Sequence, residues 1–494
     1  MALPGTIDVV DPRTGAVTGS VPDMTADDVA KAVARAREAS VVWSELPFKA
    51  RAAHLTHVRS ILLDRIDEVV EVICSSTGKL PHEALSTEVF AACETIEHYR
   101  KHGAKYLAPR RVSAGLMATT KKAYRTFDPL GVVGVISPWN YPFTLAMTPI
   151  ISALLAGNAV VLKPSEVTPR VGLVIGELFA AAGAHPDVVQ VVTGGGATGE
   201  ALVRSGVDMV AFTGSVATGR RVMAAAADTL TPVLLELGGK DPAIVCDDAD
   251  LERATRGIVW GAFQNAGQTC MSVERVYVVE SVYDRFVDEV VELTGDIRQG
   301  TDPGDDIGSM TFARQVDIVE RHLADATAKG ARVLTGGSRD VKPGLWFPPT
   351  VVVDCDHSME LLTEETFGPV LPIVKVADEG EAVRLANDSR YGLNSSVWTK
   401  DVEKGQRLAS LVEAGNVCVN DSIVSYGVTS LPFGGVKDSG IGRVHGPEGL
   451  QEFTNRKSVL VDRGLLKREL WWFPVSKLLQ GRLFVKILRL RYRR

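Results

Sequence analysis

Gly131-Val-Val-Gly-Val-Ile-Ser-Pro138 reads as a β-branched strand that ends in a proline turn, and the pattern of the next thirty or so residues decides the architecture. A helical pattern over Leu145–Ala156 leads to a second strand, Ala159-Val-Val-Leu-Lys163, so strand, helix and strand form one unit of a parallel sheet. The alternation continues with strands at Val188–Val192, Met209–Phe212 and Val233–Leu237, spaced as in a doubly wound nucleotide-binding sheet. Upstream, the first hundred residues are mostly helical, with one helix over Met24–Glu38 capped by Thr25 and a longer one over Ala50–Ser75. After Gly238-Gly239 a second series begins: a helix over Asp250–Ala266, a strand at Arg275–Val279, a helix from Val282, and further alternation to about Val419. Ala108–Phe127 and Thr454–Val461 fall outside the alternation and are expected to be edge strands that pair between subunits. The predicted class is α/β.

Composition agrees with a folded, multi-domain chain. At 494 residues, 45% hydrophobic and 23% charged, it is too long for one core and too apolar to stay disordered. A net charge of -6 disfavours a broad nucleic-acid-binding face. The six cysteines show no short-spaced pair, so neither a disulfide framework nor a metal knuckle is expected, and a reducing, cytoplasmic setting fits. The N-terminal residues lack the basic start and apolar stretch of a secretory signal, and no window is apolar over the length a membrane span needs.

Cys270 lies in the polar, glycine-containing turn Asn265-Ala-Gly-Gln-Thr-Cys-Met-Ser272, whereas Cys74, Cys246, Cys355 and Cys418 lie in or beside apolar runs. A displayed thiol is a candidate nucleophile, although a lone cysteine is more often a small packed hydrophobe. Glu236 ends an apolar strand, where open α/β sheets place their ligand crevice; it is a candidate base, with a structural acid as the commoner role. Asn140 follows another strand end and could donate to an oxyanion or simply shape the turn. Gly194-Gly-Gly-Ala-Thr-Gly199 satisfies a dinucleotide pattern that is too short to stand alone, and Phe212-Thr-Gly-Ser215 opens a second strand-to-helix junction suited to a pyrophosphate.

In order along the chain, Pro138-Trp-Asn-Tyr-Pro-Phe143, Gly157-Asn-Ala-Val-Val-Leu-Lys-Pro-Ser-Glu166, Phe212-Thr-Gly-Ser215, Glu236-Leu-Gly-Gly-Lys240, Gly267-Gln-Thr-Cys270, Glu364-Glu-Thr-Phe-Gly-Pro369 and Pro432-Phe-Gly-Gly-Val-Lys437 carry a resemblance to the NAD(P)-dependent aldehyde dehydrogenase superfamily, from about residue 6 to 463. The resemblance implies a Rossmann-type NAD-binding domain over 1–106 and 130–238, a catalytic domain over 239–453, and a small β flap over 107–129 and 454–463 that forms homodimers or homotetramers. It implies Cys270 as nucleophile, Glu236 as general base, and the Asn140 amide with the Cys270 backbone N–H as oxyanion hole. It puts Lys163 and Glu166 at the adenosine ribose, Gly214 and Ser215 at the pyrophosphate, and Glu365, Phe367 and Trp139 around the nicotinamide end. Tyr141, Met147, Thr269, Met271 and Phe433 would line the aldehyde tunnel, and no metal is implied.

The activity so implied is oxidation of an aldehyde to its acid through a thiohemiacetal and a thioester, the latter hydrolysed by a water that Glu236 activates. Retention of Glu236 disfavours a CoA-acylating variant, and Cys270, Glu236 and Asn140 together disfavour a non-catalytic relative. Glu166 favours NAD over NADP, because a carboxylate at the 2′-hydroxyl repels a 2′-phosphate. One departure stands out: relatives often carry Glu directly after Gly-x-Gly-Arg, but here Gly440-Ile-Gly-Arg443 is followed by Val444-His445.

Residues 464–494 hold nine Lys or Arg and one acid, a net of +8 that leaves -14 for the preceding 463 residues. On a helix Arg482, Lys486, Arg489 and Arg493 share one face, while Leu483, Phe484, Ile487, Leu488 and Leu490 populate the other, with Trp471-Trp472-Phe473 leading in. This tail reads as a peripheral contact with an anionic membrane surface, with docking on its own oligomer as the alternative. The tail and Arg443-Val-His-Gly-Pro-Glu-Gly-Leu450 look like a branch often labelled succinate-semialdehyde dehydrogenase, and also resemble membrane-attached fatty-aldehyde dehydrogenases. The expected tunnel residues form an apolar wall without an evident carboxylate-binding arginine, which favours a hydrophobic or general aldehyde.

Overall fold

The structure, a computed structural model, describes residues 5–115, 118, 120–183, 185–464 and 466–493. Small parts of the expected flap (116, 117 and 119) and tail (465 and 494), and the first four residues, lie outside the described residues. The chain divides into two compact units, Met1–Leu107 with Asp128–Asn455, and Ala108–Phe127 with Arg456–Arg494.

The larger unit contains two extended sheets. In the first, the strands run Gly440–Ile441, Val233–Glu236, Met209–Thr213, Val132–Ile136, Ala159–Lys163 and Val189–Val191. The last five are mutually parallel, and the order reverses between Val132–Ile136 and Met209–Thr213. Val132–Ile136 and Ala159–Lys163 are buried along their whole lengths, as β-branched strands covered on both faces must be. Thr144–Ala156 crosses between them and, being apolar all round, is buried at nearly every residue before Gly157 ends it at φ 98°. The short strand Gly440–Ile441 runs antiparallel to Val233–Glu236, with Gly440 opposite Glu236.

The second sheet runs Arg332–Thr335, Thr350–Val353, Val370–Val376, Val273–Val279, Asp241–Val245, Ser396–Trp398 and Cys418–Val419. Only the Arg332–Thr335 pairing is antiparallel.

Three details depart from expectation. The helix over Ala50–Ser75 is two helices, Phe48–Asp64 and Ile66–Thr77, broken at Arg65 (φ -107°, ψ 21°). Asp67 and Glu68 then stand in the first turn of the second helix, where its dipole favours acids. The Gly194–Gly199 pattern does not open onto the sheet's reversal point. It comes after the edge strand, and its Gly195 amide and Thr198 hydroxyl bond Asp23 and the Met24 carbonyl. The two edge strands satisfy one another within the chain: Lys121–Pro129 lies between Thr454–Asp462 and Arg110–Val112, antiparallel to the latter.

In the smaller unit Lys121 bonds both Asp462 and Glu469, and its ammonium lies 5.7 Å from the Trp471 ring. The chain continues into the helices Lys477–Gln480 and Arg482–Tyr492, the second of which has no buried residue. Among the described residues no helix is long and apolar enough to cross a membrane.

Candidate active site

Cys270 is held by a strained loop. The helix Leu251–Phe263 is followed by three residues in the left-handed region, Asn265 (φ 53°), Ala266 (φ 52°) and Gly267 (φ 72°). A Cβ at Gly267 would be driven into the Gly368 carbonyl, so only glycine fits. The strain is offset by hydrogen bonds: the Asn265 backbone N–H donates to Glu83 (2.7 Å), and its side chain donates to the carbonyls of Asn140 (3.2 Å) and Gln268 (3.0 Å). The Gln268 side-chain oxygen accepts from the Thr311 N–H at 2.8 Å.

The thiol stands where two cavities meet. One, of about 780 Å³, is lined by Cys270, Tyr141, Thr269 and Met271 together with apolar residues such as Phe90 and Trp260. The other, about 30 Å³, joins Cys270 to Glu236 and Phe433. Burial pushes the Cys270 thiol up from its ordinary value, and the carboxylates of Asp241, Glu236 and Glu365 push it further. Burial also holds the Glu236 carboxyl well above the usual range, partly opposed by Arg443. Neither oxygen of Glu236 has a hydrogen-bond partner among the described residues. A Cβ at Gly434 would stand 2.9 Å from one of them, so the glycine keeps that space free.

Asn140 is brought to the same place. One N–H of its amide donates to the Gln268 carbonyl at 2.9 Å, two residues before the thiol. Tyr141 and Thr269 share a hydroxyl hydrogen bond of 2.7 Å, and Gln264 donates to Tyr141 at 3.2 Å. Met147 is corrected: it is fully buried in the core and lines neither cavity. Leu145 and Thr148, three residues apart on that helix, face the cavities instead and turn Met147 inward.

At the reversal point of the first sheet, Lys163 is buried and donates to the exposed carboxylate of Glu166 at 3.1 Å. Ser215 caps the helix Val216–Ala227, accepting from the Thr218 N–H, and the Gly214 N–H donates to the Glu236 carbonyl at 3.0 Å. The Trp139 ring meets Phe367 edge-on at 5.3 Å. Glu365 accepts from the Gly239 N–H at 3.0 Å, and burial, then Glu274, pushes its carboxyl up to about 8.

Two buried ion pairs that set these loops escaped the sequence reading. Lys79 and Glu88, 3.1 Å apart, lie under the Asn140 turn: Glu88 accepts from the Phe143 N–H (2.7 Å), while Lys79 bonds the Asn140 carbonyl and sits 4.3 Å from the Tyr141 ring centre. Glu274 pairs with Lys240 at 2.5 Å and accepts from the N–H groups of Thr366 and Phe367, both at 2.8 Å, which places the Glu365 loop. The one local signal was a charge in an apolar run, as in Val273-Glu-Arg-Val276.

Known proteins supply the comparison for this geometry. The aldehyde dehydrogenase family profile matches residues 2–459. A 4,4′-diapolycopene aldehyde oxidase of Methylomonas sp is 44% identical over 474 residues, covering 95% of this chain and 88% of that protein. A protein of Mycobacterium ulcerans (strain Agy99), assigned by name only as succinate-semialdehyde dehydrogenase [NADP(+)] 2, is 39% identical over 455 residues, covering 91% of this chain and 87% of that one. The crystal structure of a Mycobacterium tuberculosis aldehyde dehydrogenase complexed with NAD+ superposes with a TM-score of 0.89 at 36% identity, covering 94% and 96% of the two chains. With an α/β fold shared over nearly its whole length and a family profile spanning both sheets, the chain belongs to the aldehyde dehydrogenase family.

Proposed function

We propose that this oxidoreductase converts apolar aldehydes to carboxylic acids with NAD(P), using Cys270 as nucleophile and Glu236 as base. The observation that carries the reading is the apolar cavity of about 780 Å³ that ends on the thiol, with an unpartnered carboxyl in the smaller cavity beside it. The aldehyde carbon is attacked by Cys270, and the oxyanion is met by the Asn140 amide and the Cys270 N–H. NAD(P), when bound, accepts the hydride that leaves the resulting thiohemiacetal. Glu236 then takes a proton from the water that hydrolyses the thioester, a task suited to a carboxyl whose burial has raised its proton affinity.

The residues at the sheet's reversal point fit a dinucleotide. A buried ammonium beside an exposed carboxylate, Lys163 with Glu166, suits a pair of ribose hydroxyls, and Gly214 and Ser215 lead into a helix N-terminus suited to a pyrophosphate. Glu365, Phe367 and Trp139 are assigned to the nicotinamide end. Glu166 favours NAD over NADP. The NAD-binding (1–106, 130–238), catalytic (239–453) and oligomerisation (107–129, 454–463) divisions belong to the same reading, the last serving a homodimer or homotetramer.

Succinate semialdehyde is the rival substrate. Arg256 is the arginine that lines the large cavity, but its side chain is 67% exposed and faces Glu252 at 3.3 Å. An unpaired carboxylate in an apolar cavity costs several kcal/mol, so kcat/KM for octanal or benzaldehyde is expected to exceed that for succinate semialdehyde by about tenfold or more. NADH formation with the three aldehydes in parallel tests this, and a preference for succinate semialdehyde would reverse the assignment.

We also infer that residues 464–494 contact an anionic membrane surface from the cytoplasmic side. On the helix Arg482–Tyr492, Leu483, Ile487, Leu488 and Leu490 are exposed among basic residues, and Trp472 and Phe473 are exposed just before it. The protein is expected to sediment with phosphatidylglycerol vesicles at low salt and to be released as salt rises or when Arg482, Lys486 and Arg489 are changed to Glu, while ignoring phosphatidylcholine vesicles. Equal sedimentation with both lipids, or with neither, would remove the membrane from the account.

A further inference from the structure

The large cavity is apolar except at a few points, and two of these have no hydrogen-bond partner among the described residues. Both ring nitrogens of His445 and the hydroxyl of Thr144 are unpaired, in residues only 1% and 2% exposed, and both residues line the cavity that ends on Cys270. The His445 ring is held edge-on against Tyr426 at 4.6 Å. Its backbone lies at φ 61° and ψ 174°, outside the regions that side chains other than glycine ordinarily occupy. The chain accepts that conformation while its Gly446 N–H and its own carbonyl are fixed to Thr429 and Gly449 at 3.0 and 2.8 Å. Buried polar atoms without partners are rare, and two residues of this kind lining one cavity mark a place where a ligand group completes the bonding.

We propose that His445 and Thr144 form a second subsite for the substrate, one that takes an uncharged oxygen function, a hydroxyl or a carbonyl, carried away from the reacting aldehyde. The inference rests on the aldehyde-oxidation reading and narrows its substrate class to oxygenated apolar aldehydes. Burial pushes the His445 imidazole down to about 4, so at neutral pH the ring offers one donor and one acceptor and no charge. Thr144 adds a group that donates and accepts. Such a pair matches a neutral oxygen and gives no counter-charge to a carboxylate.

The test is a length-matched series of n-alkanals and ω-hydroxyalkanals with the full-length enzyme. At the best-fitting length the wild type is expected to favour the hydroxylated member by about tenfold in kcat/KM, because an analogue lacking the oxygen leaves buried polar atoms unpaired. His445→Phe and Thr144→Val are each expected to bring that ratio towards one, and His445→Gln to retain part of it. Thr144→Val keeps the test open should His445→Phe fail to fold. No preference at any length in the wild type, or losses shared equally by both members of each pair in the variants, overturns the subsite. If no aldehyde of either kind supports NADH formation in the wild type, the oxidation reading itself fails, and the subsite with it.

Discussion

Cys270→Ala removes aldehyde-dependent NADH formation, with kcat falling by at least about a thousandfold, while the protein keeps its thermal unfolding temperature within a few degrees. The size of the loss comes from the chemistry: hydride cannot leave a planar aldehyde, so without the thiohemiacetal there is no intermediate from which it can depart. Binding of cofactor and aldehyde does not replace the missing bond. Stability is expected to hold because the thiol borders two cavities, so its removal enlarges space that already exists. The remaining cysteines cannot take over, since Cys74, Cys246 and Cys355 are buried and lie away from either cavity. Turnover that survives in the variant would sink the covalent route.

Glu236→Gln separates the two halves of the reaction. The substitution keeps shape and removes the proton acceptor, so a first turnover of NADH is expected as a burst, followed by a steady rate lowered by about a hundred- to a thousandfold as the thioester accumulates. The pH dependence has a definite sign. Because burial raises the proton affinity of Glu236, the carboxyl stays protonated above the ordinary carboxylate range, and the steady rate of the wild type climbs as pH rises through its raised pKa. The glutamine variant lacks that limb. Rapid-quench measurement of NADH and of protein-bound acyl group checks both statements. A variant that hydrolyses at the wild-type rate would assign the base elsewhere, and one that loses the burst as well would place Glu236 at the thiol's own proton.

The strands were the most legible part of the chain, because β-branched runs bounded by glycine and proline leave little choice, as at Val132–Ile136 and Ala159–Lys163. Helix ends were legible where a side chain caps them: Thr25 and Asp28 form a reciprocal capping box at the start of Ala26–Glu45. The break at Arg65 was not, since no proline or glycine marks it and both halves carry one amphipathic pattern. Cys270, Glu236 and Asn140 could be named, but the groups that hold them could not. The Lys79–Glu88 and Lys240–Glu274 pairs join residues from separate elements, and their worth lies in burial that only the folded chain supplies. Met147 was misplaced for a simpler reason: one position along a helix rotates a side chain by about 100°, enough to move it from cavity wall to core. His445 showed itself only as a departure from a pattern.

The three-stranded sheet sets an order on biosynthesis. Lys121 and Asp462, paired in that sheet, are separated by 341 positions in sequence. While the intervening chain is being made, the strand Lys121–Pro129 must wait with one side of its ladder open, and an open ladder is the template on which nascent chains stick to one another. Closing so long a loop is slow, which makes the late arrival of Thr454–Asp462 the step most exposed to crowding and to the need for a chaperone.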